Sequence, residues 1–224
     1  MNNKMVFSRE GSAKYNKMQK LSRDFYLRTD VVQIAKELLG KVIVTKFDGI
    51  YTAARIVETE AYAGIIDKAS HAYNNRRTTR TEIMFGHGAV AYVYLCYGIH
   101  HLFNVVCNTK ENPDAVLIRG IEPFEGIDTM LIRSNKKVFD ASLGRGPGNA
   151  SKAMGIVTQH SGLYLQSKQL FLADDGTTDF TIAASKRIGV DYAAEHALWP
   201  YRFFITGSQH VSKHAFNKEG IVLL

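Results

Sequence analysis

Cysteine and proline are scarce in this chain, and long hydrophobic runs are missing. Two cysteines among 224 residues, Cys96 and Cys107, are too few for a disulfide-stapled fold and fit a reducing compartment. Four prolines and 18 glycines exclude a collagen-like or low-complexity chain. No stretch approaches the roughly 18 apolar residues of a membrane-spanning helix, and the N-terminus lacks the apolar core of a secretory signal. We therefore expect a protein that is neither secreted nor embedded in a membrane.

Several sequence signatures of catalysis and metal binding are also missing. The eight histidines and two cysteines form no Cys-x-x-Cys or His-Glu-x-x-His spacing. No Gly-x-Ser-x-Gly nucleophile motif occurs, and the glycines at 144–148 do not have the spacing of a Walker A loop. The sequence thus predicts no metal and no cofactor.

What the chain does contain is a basic balance on an otherwise ordinary globular composition. Hydrophobic residues make up 46% and aromatic residues 11%, enough for a packed core, and the formal net charge is +7. Residues 1–20 hold five Lys/Arg against one Glu, which is +4 of that total. We predict a basic, flexible arm over residues 1–20, with a merely solvated tail as the alternative, and a single domain over 21–224. The charge suggests a polyanionic partner without saying which one.

Hydrophobic periodicity predicts an α+β fold. Asp30 can cap a helix over 31–39 that Gly40 ends, and short runs rich in β-branched and aromatic residues follow. The predicted strands are 41–46, 51–62, 89–97, 103–106 and 115–121, the predicted helices are 124–134 and 149–154, and further elements are 163–172, 181–184 and 203–206. Strands this close in sequence favour antiparallel pairing. We expect one mixed domain with a curved, largely antiparallel sheet flanked by helices.

Two carboxylates lie in the predicted strand 51–62. Strand alternation places Glu58, Glu60 and Tyr62 on one face. Glutamate is depleted in strands and costly to bury unpaired. This face is therefore either exposed to solvent or holds a general base beside an aromatic wall.

Tyrosines dominate the predicted strand 89–97. Tyr92 and Tyr94 share a face, whereas Tyr97 precedes Gly98 at a predicted turn. Strand aromatics are usually core residues, but a tyrosine at a turn can also protrude and enter a base stack.

Polar residues interrupt two other apolar strands. Asn104 needs partners for its amide, either at a strand end or in a recognition contact, and Arg119 needs an anion. With Glu60 they indicate a polar pocket. Gly146 and Gly148 precede a short helix and form either a plain turn or an anion-binding N-terminus.

These residues together resemble the alkyladenine (3-methyladenine/hypoxanthine) DNA glycosylase family, from about Leu21 to Leu223. The motifs that carry the resemblance are RIVETEAY (55–62), His71, MFG (84–86), AYVYLCYG (91–98), Asn104, LIRGIEP (117–123), GRGPGNASKAMGI (144–156), RIGVDYA (187–193) and YRFFITGS (201–208). Their order and spacing match throughout.

The resemblance implies a role for each residue. Glu60 would activate water, with Arg119 and the main chain around Val190 holding that water. Tyr62, His71 and Tyr94 would line the pocket for a flipped base, Asn104 would disfavour guanine at its floor, and Tyr97 would fill the vacated place in the duplex. Backbone contacts are expected from Arg76, Arg77, Arg80, Gly146, Gly148 and Lys152.

The resemblance implies a monomeric, monofunctional glycosylase that acts on damaged double-stranded DNA and leaves an abasic site. Its location would be the cytoplasm or nucleoid in a bacterium and the nucleus in a eukaryote. A non-catalytic nucleic-acid-binding protein of the same fold is the alternative, and a phosphate-binding hydrolase built on Gly146 and Gly148 is a more distant one.

Overall fold

The computed structural model describes residues 18–223. Its α-helices are α1 (Arg23–Tyr26), α2 (Val31–Glu37), α3 (Ile127–Ser134) and α4 (Pro147–Met154). Its strands are β1 (Gln19–Lys20), β2 (Val42–Phe47), β3 (Ile50–Tyr62), β4 (Val90–Cys96), β5 (His100–Cys107), β6 (Asp114–Glu125), β7 (Leu170–Asp174), β8 (Ile182–Ser185), β9 (Arg202–Ile205) and β10 (Ile221–Leu223). Short 3-10 turns connect them.

The strands form one antiparallel sheet of ten strands within the described residues. The main order is β1-β7-β2-β3-β6-β5-β4, and β9 joins β3 to β8, which in turn pairs with β10. Every strand pairing in this sheet is antiparallel. The sheet therefore branches at β3, whose first half pairs with β2 and whose second half pairs with β9.

Strand β3 is the centre of the fold and carries both buried carboxylates. Its register with β6 shifts on either side of Glu58, and such bulges bend a strand and increase its twist. Thr59 donates its hydroxyl to the carbonyl of Ala35 in α2 at 2.9 Å, so the odd-numbered face packs on a helix. Glu58 and Glu60 face the other way, toward Arg119 on β6.

Each helix packs against the sheet through a few apolar residues on one of its faces. Asp30 caps α2 by accepting the amide of Gln33 at 2.9 Å, and Val31, Ile34 and Ala35 are buried. The main core joins α2, α4 and the inner faces of β2, β3, β5 and β6.

These observations confirm the α+β class and the large antiparallel sheet. Most element boundaries differ from the predictions by a few residues, and three of the differences have a clear local cause. Helix α3 starts at Ile127, because 124–125 still belong to β6 and Gly126 adopts φ 70° between them. Helix α4 begins at Pro147, a favoured first helical residue. The element predicted at 163–172 is a strand only from Leu170, because the Ser167 hydroxyl accepts the amides of Gln169 and Leu170 in a turn.

Only the end of the predicted basic arm falls within the described residues. Gln19 and Lys20 pair with β7, and the Lys20 ammonium donates to the Ser167 carbonyl at 2.6 Å. Residues 1–17 lie outside the described part of the chain, so the arm and its boundary stay a prediction. Between residues 18 and 223, no helix is long and apolar enough to cross a membrane.

Candidate active site

A cavity of about 360 Å³ opens where β3, β4, β5 and β6 meet the N-terminus of α4. Its volume lies in the range of about 300–1,000 Å³ that is usual for small-molecule sites. The predicted site residues that line it are Tyr62, His71, Tyr94, Tyr97, Asn104, Arg119, Gly146, Gly148 and Val190. The fold thus collects residues from seven separate sequence motifs around one space.

Glu60 lies fully buried beside this cavity rather than in its lining. Its Oε1 accepts the main-chain N–H of Ile188 at 2.8 Å and lies 3.3 Å from Nη1 of Arg119. Its Oε2 accepts the hydroxyl of Tyr62 at 2.8 Å. A carboxylate offers about four lone-pair sites, so these three contacts leave one for another donor. The alternative that this face of β3 is exposed to solvent is wrong.

Arg119 supplies the positive charge in direct contact with both carboxylates of β3. Its guanidinium joins both carboxylates of β3, with Nε 3.2 Å from Oε1 of Glu58 and Nη1 3.3 Å from Oε1 of Glu60. The anion that Arg119 requires within an apolar strand is therefore this pair of glutamates.

Aromatic rings form one wall of the cavity. His71 meets the rings of Tyr94 and Tyr92 edge-on, with centroids 4.6 and 6.1 Å apart, and its Nδ1 lies 2.9 Å from the Tyr92 hydroxyl. Burial first, and then the charges of Arg80 and Arg76, lower the pKa of His71 to about 4. The imidazole is therefore neutral at physiological pH, and it does not repel a cationic ligand.

Tyr62 also belongs to this wall, and its ring lies next to the buried Arg187 guanidinium. Burial, and then the charge of Glu60, raise the pKa of Tyr62 well above its usual value, so its hydroxyl stays a proton donor. The Arg187 guanidinium lies 4.8 Å from the Tyr62 ring centroid.

Asn104 lies buried on β5 next to Leu117 of β6. Its amide nitrogen donates to the carbonyls of Tyr92 at 3.2 Å and Leu102 at 3.3 Å. Both amide protons are therefore committed to the main chain. The side chain is a fixed part of the cavity surface rather than a strand-end cap.

Tyr97 projects from the tip of the β4–β5 hairpin. Tyr97 and Gly98 have φ values of 50° and 72°, and the Ile99 amide donates to the Cys96 carbonyl at 3.1 Å, which is the pattern of a type I′ turn. The Tyr97 side chain is 91% exposed, unlike Tyr92, which is a core residue. This aromatic side chain is therefore not used for packing within the described residues.

The N-terminus of α4 borders the cavity on another side. Gly146 has φ 86°, a conformation that disfavours other residues, and a Cβ on Gly148 would approach the His100 ring to 2.8 Å. The two glycines thus allow α4 to begin close against β5. The alternative of a plain turn does not describe them, because they start an eight-residue helix.

The predicted backbone-contacting cations are placed unequally. Arg77 pairs with Glu82 and Glu111, whereas the Arg80 guanidinium lies 5.8 Å from the Tyr94 ring centroid near the cavity mouth. Arg76 is exposed on the same loop. Lys152 is an exposed residue of α4 outside the cavity lining.

Val190 lies at the cavity wall and precedes the 3-10 segment Asp191–Leu198. It is buried, and its carbonyl accepts the amide of Ala193 at 2.9 Å. Two positions earlier, the Ile188 amide contacts Glu60 directly. The main chain of this segment therefore does reach the carboxylate site.

Three parts of the site were not predicted from the sequence. One is the buried Asp67–Arg187 ion pair, in which Arg187 also donates to the Ala61 carbonyl at 2.8 Å. The second is Tyr192, which is 69% exposed at the cavity and donates to the Ala69 carbonyl at 3.0 Å. The third is the contact between Arg202 and Glu58 at 2.7 Å. The only sequence signal for the charged pairs was an arginine placed in or beside an apolar strand.

Comparison with known proteins identifies the family of this chain. The family model for methylpurine-DNA glycosylase matches residues 24–209. A protein of Desulfitobacterium hafniense (strain Y51) named "Putative 3-methyladenine DNA glycosylase" is 42% identical over 202 residues, covering 87% of this chain and 99% of its own length. Proteins of the same name from Clostridium perfringens (strain 13) and Clostridium acetobutylicum are 43% and 44% identical, covering 87% and 86% of this chain and 99% and 97% of their own lengths. These matches confirm the resemblance, and this chain belongs to the methylpurine-DNA glycosylase family.

Proposed function

We propose that this DNA glycosylase flips alkylated purines, 3-methyladenine first among them, out of duplex DNA and hydrolyses their N-glycosidic bond with water activated by Glu60. The observation that carries the proposal is a fully buried carboxylate with one lone pair left over, beside a tyrosine-lined cavity. The names of the relatives support 3-methyladenine as a substrate. Hypoxanthine and ethenoadenine are further candidates.

The cavity favours a flat, positively charged base. Flipping a base out of the duplex stack costs a few kcal/mol, and this cost is smaller for a damaged base pair. Methylation at a ring nitrogen gives the purine a positive charge, which the faces of Tyr62 and Tyr94 attract by about 0.5–2 kcal/mol. Neutral His71 completes the wall without repulsion.

The proposed chemical step uses Glu60 as a general base. The carboxylate accepts a proton from water while the water oxygen bonds to the anomeric carbon of the deoxyribose. The bond from that carbon to the base nitrogen breaks, and its electron pair neutralises the alkylated base as it leaves. The same carboxylate stabilises the oxocarbenium-like charge on the sugar. Arg119 and the main chain at Val190 would orient the water.

The residues that line the cavity support hydrolysis rather than strand cleavage. A lyase needs an amine that forms a Schiff base with the sugar. Among the described residues, the cavity lining includes the guanidinium groups of Arg119 and Arg145 but no lysine. The proposed product is therefore an intact strand with an abasic site.

Base release decides between this function and binding alone. Duplexes carrying 3-methyladenine, hypoxanthine or ethenoadenine are incubated with excess enzyme, and the free bases are measured by chromatography. Release of 3-methyladenine with uncleaved strands supports the proposal. Tight binding of damaged duplex without release of any base would favour the non-catalytic alternative.

The exposed ring at the hairpin tip leads to a prediction about duplex binding. Tyr97→Ala should weaken affinity for damaged duplex about 10- to 100-fold, because base–aromatic stacking contributes about 1–3 kcal/mol. Alanine retains the cost of positive φ that tyrosine has at 50°, so the turn itself is not relaxed. Fluorescence anisotropy with a labelled duplex measures the change.

A matched surface change controls for this measurement. Ile132 on α3 is 79% exposed and lies outside the cavity lining, and Ile132→Ala should leave affinity unchanged. Equal affinity of Tyr97→Ala and the parent protein would refute the role of Tyr97 as a wedge.

The cavity floor leads to a prediction about substrate choice. Asn104→Ser should raise release of unmodified guanine about tenfold, because the smaller side chain leaves room for the 2-amino group, and discrimination by pocket size typically corresponds to about 1–3 kcal/mol. Release of 3-methyladenine by the same variant serves as the internal control and should change little. An unchanged ratio of guanine to 3-methyladenine release would contradict the proposed gate.

A further inference from the structure

Glu58 is a second buried carboxylate beside the site, and all of its hydrogen-bonding capacity is used. Its Oε1 lies 3.2 Å from Nε of Arg119 and 2.7 Å from Nε of Arg202. Its Oε2 accepts the main-chain amide of Ser212 at 2.8 Å and the Ser212 hydroxyl at 2.7 Å. Four donors occupy the roughly four lone-pair sites of a carboxylate. Glu58 therefore has no site left for water or DNA, and any effect on chemistry must pass through its partners.

The partners of Glu58 are themselves fixed in place. Arg202 is fully buried, and its other nitrogens donate to Ser185 Oγ at 3.0 Å and Asn217 Oδ1 at 2.9 Å. Gly120 on β6 leaves room for Glu58, because a Cβ there would come within 3.0 Å of the Glu58 Cβ. Glu58 is thus held between Arg202 and the main chain of β6.

The charges of this cluster balance. Burial raises the pKa of Glu58, but Arg119, Arg202 and the Ser212 donors outweigh it and hold that pKa below its usual value. Two carboxylates, Glu58 and Glu60, then face two guanidiniums. Buried ion clusters contribute little net stability compared with apolar residues of the same size. A role in the reaction explains their presence better than stability does.

We propose that Glu58 is a positioning residue, which holds Arg119 between two carboxylates so that Glu60 shares the cation and keeps its capacity to accept a proton. This inference rests on the proposed function of Glu60 as the general base. Without Glu58, the Arg119 guanidinium would pair with Glu60 alone. The Glu60 carboxylate would then accept a proton from water less readily. Arg202 has the opposite influence, because it neutralises Glu58.

Other groups also face Glu60 and stay constant in the test. The charged neighbour from another segment is Arg187, and the hydroxyl neighbours are Tyr62, Tyr94 and Tyr192. Tyrosine hydroxyls are neutral across the acid range, and arginine is charged throughout. Changes at Glu58 and Arg202 therefore alter the electrostatics of Glu60 while these four neighbours keep their charge state.

The test is the acid limb of the pH–rate profile for single-turnover release of 3-methyladenine from methylated DNA. The alkylated base already carries its charge, so its departure needs no added proton. In Glu58→Gln, the half-maximal pH should move down by about one unit, since one charge is lost at roughly 7 Å, the spacing of same-face neighbours in a strand. In Arg202→Gln, it should move up by a similar amount. The plateau rate of Glu58→Gln should fall about tenfold, while the half-saturating enzyme concentration stays the same.

Opposite shifts distinguish positioning from mere support of the fold, because loss of structure cannot move the limb in two directions. The control is Glu122→Gln, the same change at an exposed residue of β6, which should match the parent protein. The proposal would be overturned by an unchanged half-maximal pH, by shifts of the same sign in the two variants, or by a fall in rate that weaker DNA affinity explains entirely.

A milder variant keeps the proposal testable if the charge-changing variants do not fold. Ser212→Ala removes one donor to Glu58 and leaves every charge in place, and it should lower the plateau rate about threefold. A parental rate in Ser212→Ala would then overturn the proposal. Glu60→Gln, measured alongside, separates the two hypotheses: if it retains full activity the proposed function fails, and if it is inactive while the Glu58 variants behave like the parent, only the positioning role fails.

Discussion

Glu60→Gln should lower single-turnover release of 3-methyladenine about 10²- to 10⁴-fold, the usual contribution of a general base. Glutamine has nearly the same shape and can still accept the Ile188 amide that Glu60 Oε1 accepts at 2.8 Å. It cannot take a proton from water, and it cannot balance the Arg119 charge at 3.3 Å. Affinity for duplex containing an abasic site should stay near that of the parent, because the hairpin tip and the cavity wall are unchanged.

The measurement therefore has two parts, base release with excess enzyme and anisotropy with abasic-site duplex. Glu122→Gln again provides a matched control for removal of one negative charge from the protein surface. Retained base release by Glu60→Gln would falsify the general-base assignment. Loss of both release and binding would instead indicate that Glu60 is needed for the fold.

The second large effect is on stability, at the ion pair between Asp67 and Arg187. Both side chains are fully buried, and the Asp67 carboxylate also accepts the amides of Ala63 at 3.2 Å and Ala69 at 2.9 Å. Asp67→Asn should lower the free energy of unfolding by about 3–5 kcal/mol, because it leaves the arginine charge without its counterion in the interior. The midpoint of thermal unfolding should fall by about 10 °C for a domain of this size.

A partly exposed pair of the same residue types provides the comparison. Arg55 and Asp175 are bonded through both carboxylate oxygens, at 3.1 and 2.8 Å, and Asp175→Asn should cost only about 1 kcal/mol. The hydrogen bond from Arg55 leads the causes that lower the pKa of Asp175 to about 2. Its contribution is therefore complete above the unfolded pKa of about 3.9 and is lost as the pH falls toward 2. Equal losses of stability in the two variants would contradict the role of burial.

The same ion pair links stability to the site. Arg187 precedes Ile188, whose amide contacts Glu60, and it also donates to the His196 carbonyl at 3.1 Å. Breaking the pair frees the segment that presents this amide. Asp67→Asn should therefore reduce base release below the unfolding temperature as well, whereas Asp175→Asn should not.

Much of the fold could be read from local sequence patterns. Asp30 and the apolar spacing after it predicted α2, and the run 51–62 predicted most of β3. These features depend on side-chain preferences within a few residues. The strand at 221–223 and the turn at 163–169 were missed or misplaced, because β10 exists only through its pairing with β8, and because a single serine side chain ends the local strand pattern.

The candidate site shows the same division. Strand alternation was enough to place Glu58 and Glu60 on one face, and the turn residues were enough to suggest that Tyr97 protrudes. No local pattern showed that Arg202, 144 residues from Glu58, would complete the charge balance. The Ile188 amide could not be foreseen either, because a main-chain donor has no side-chain signature.

The sequence by itself determined the elements, the polar residues inside apolar strands and the family. It did so because backbone preferences act over a few residues and because the motifs recur in order. Only the tertiary structure decided that Glu58 is saturated whereas Glu60 keeps one free lone pair. That difference arises from donors on β6, β9 and the segments at 188 and 212. Such distant groups meet only when the sheet branches at β3 and burial requires every charge to find a partner.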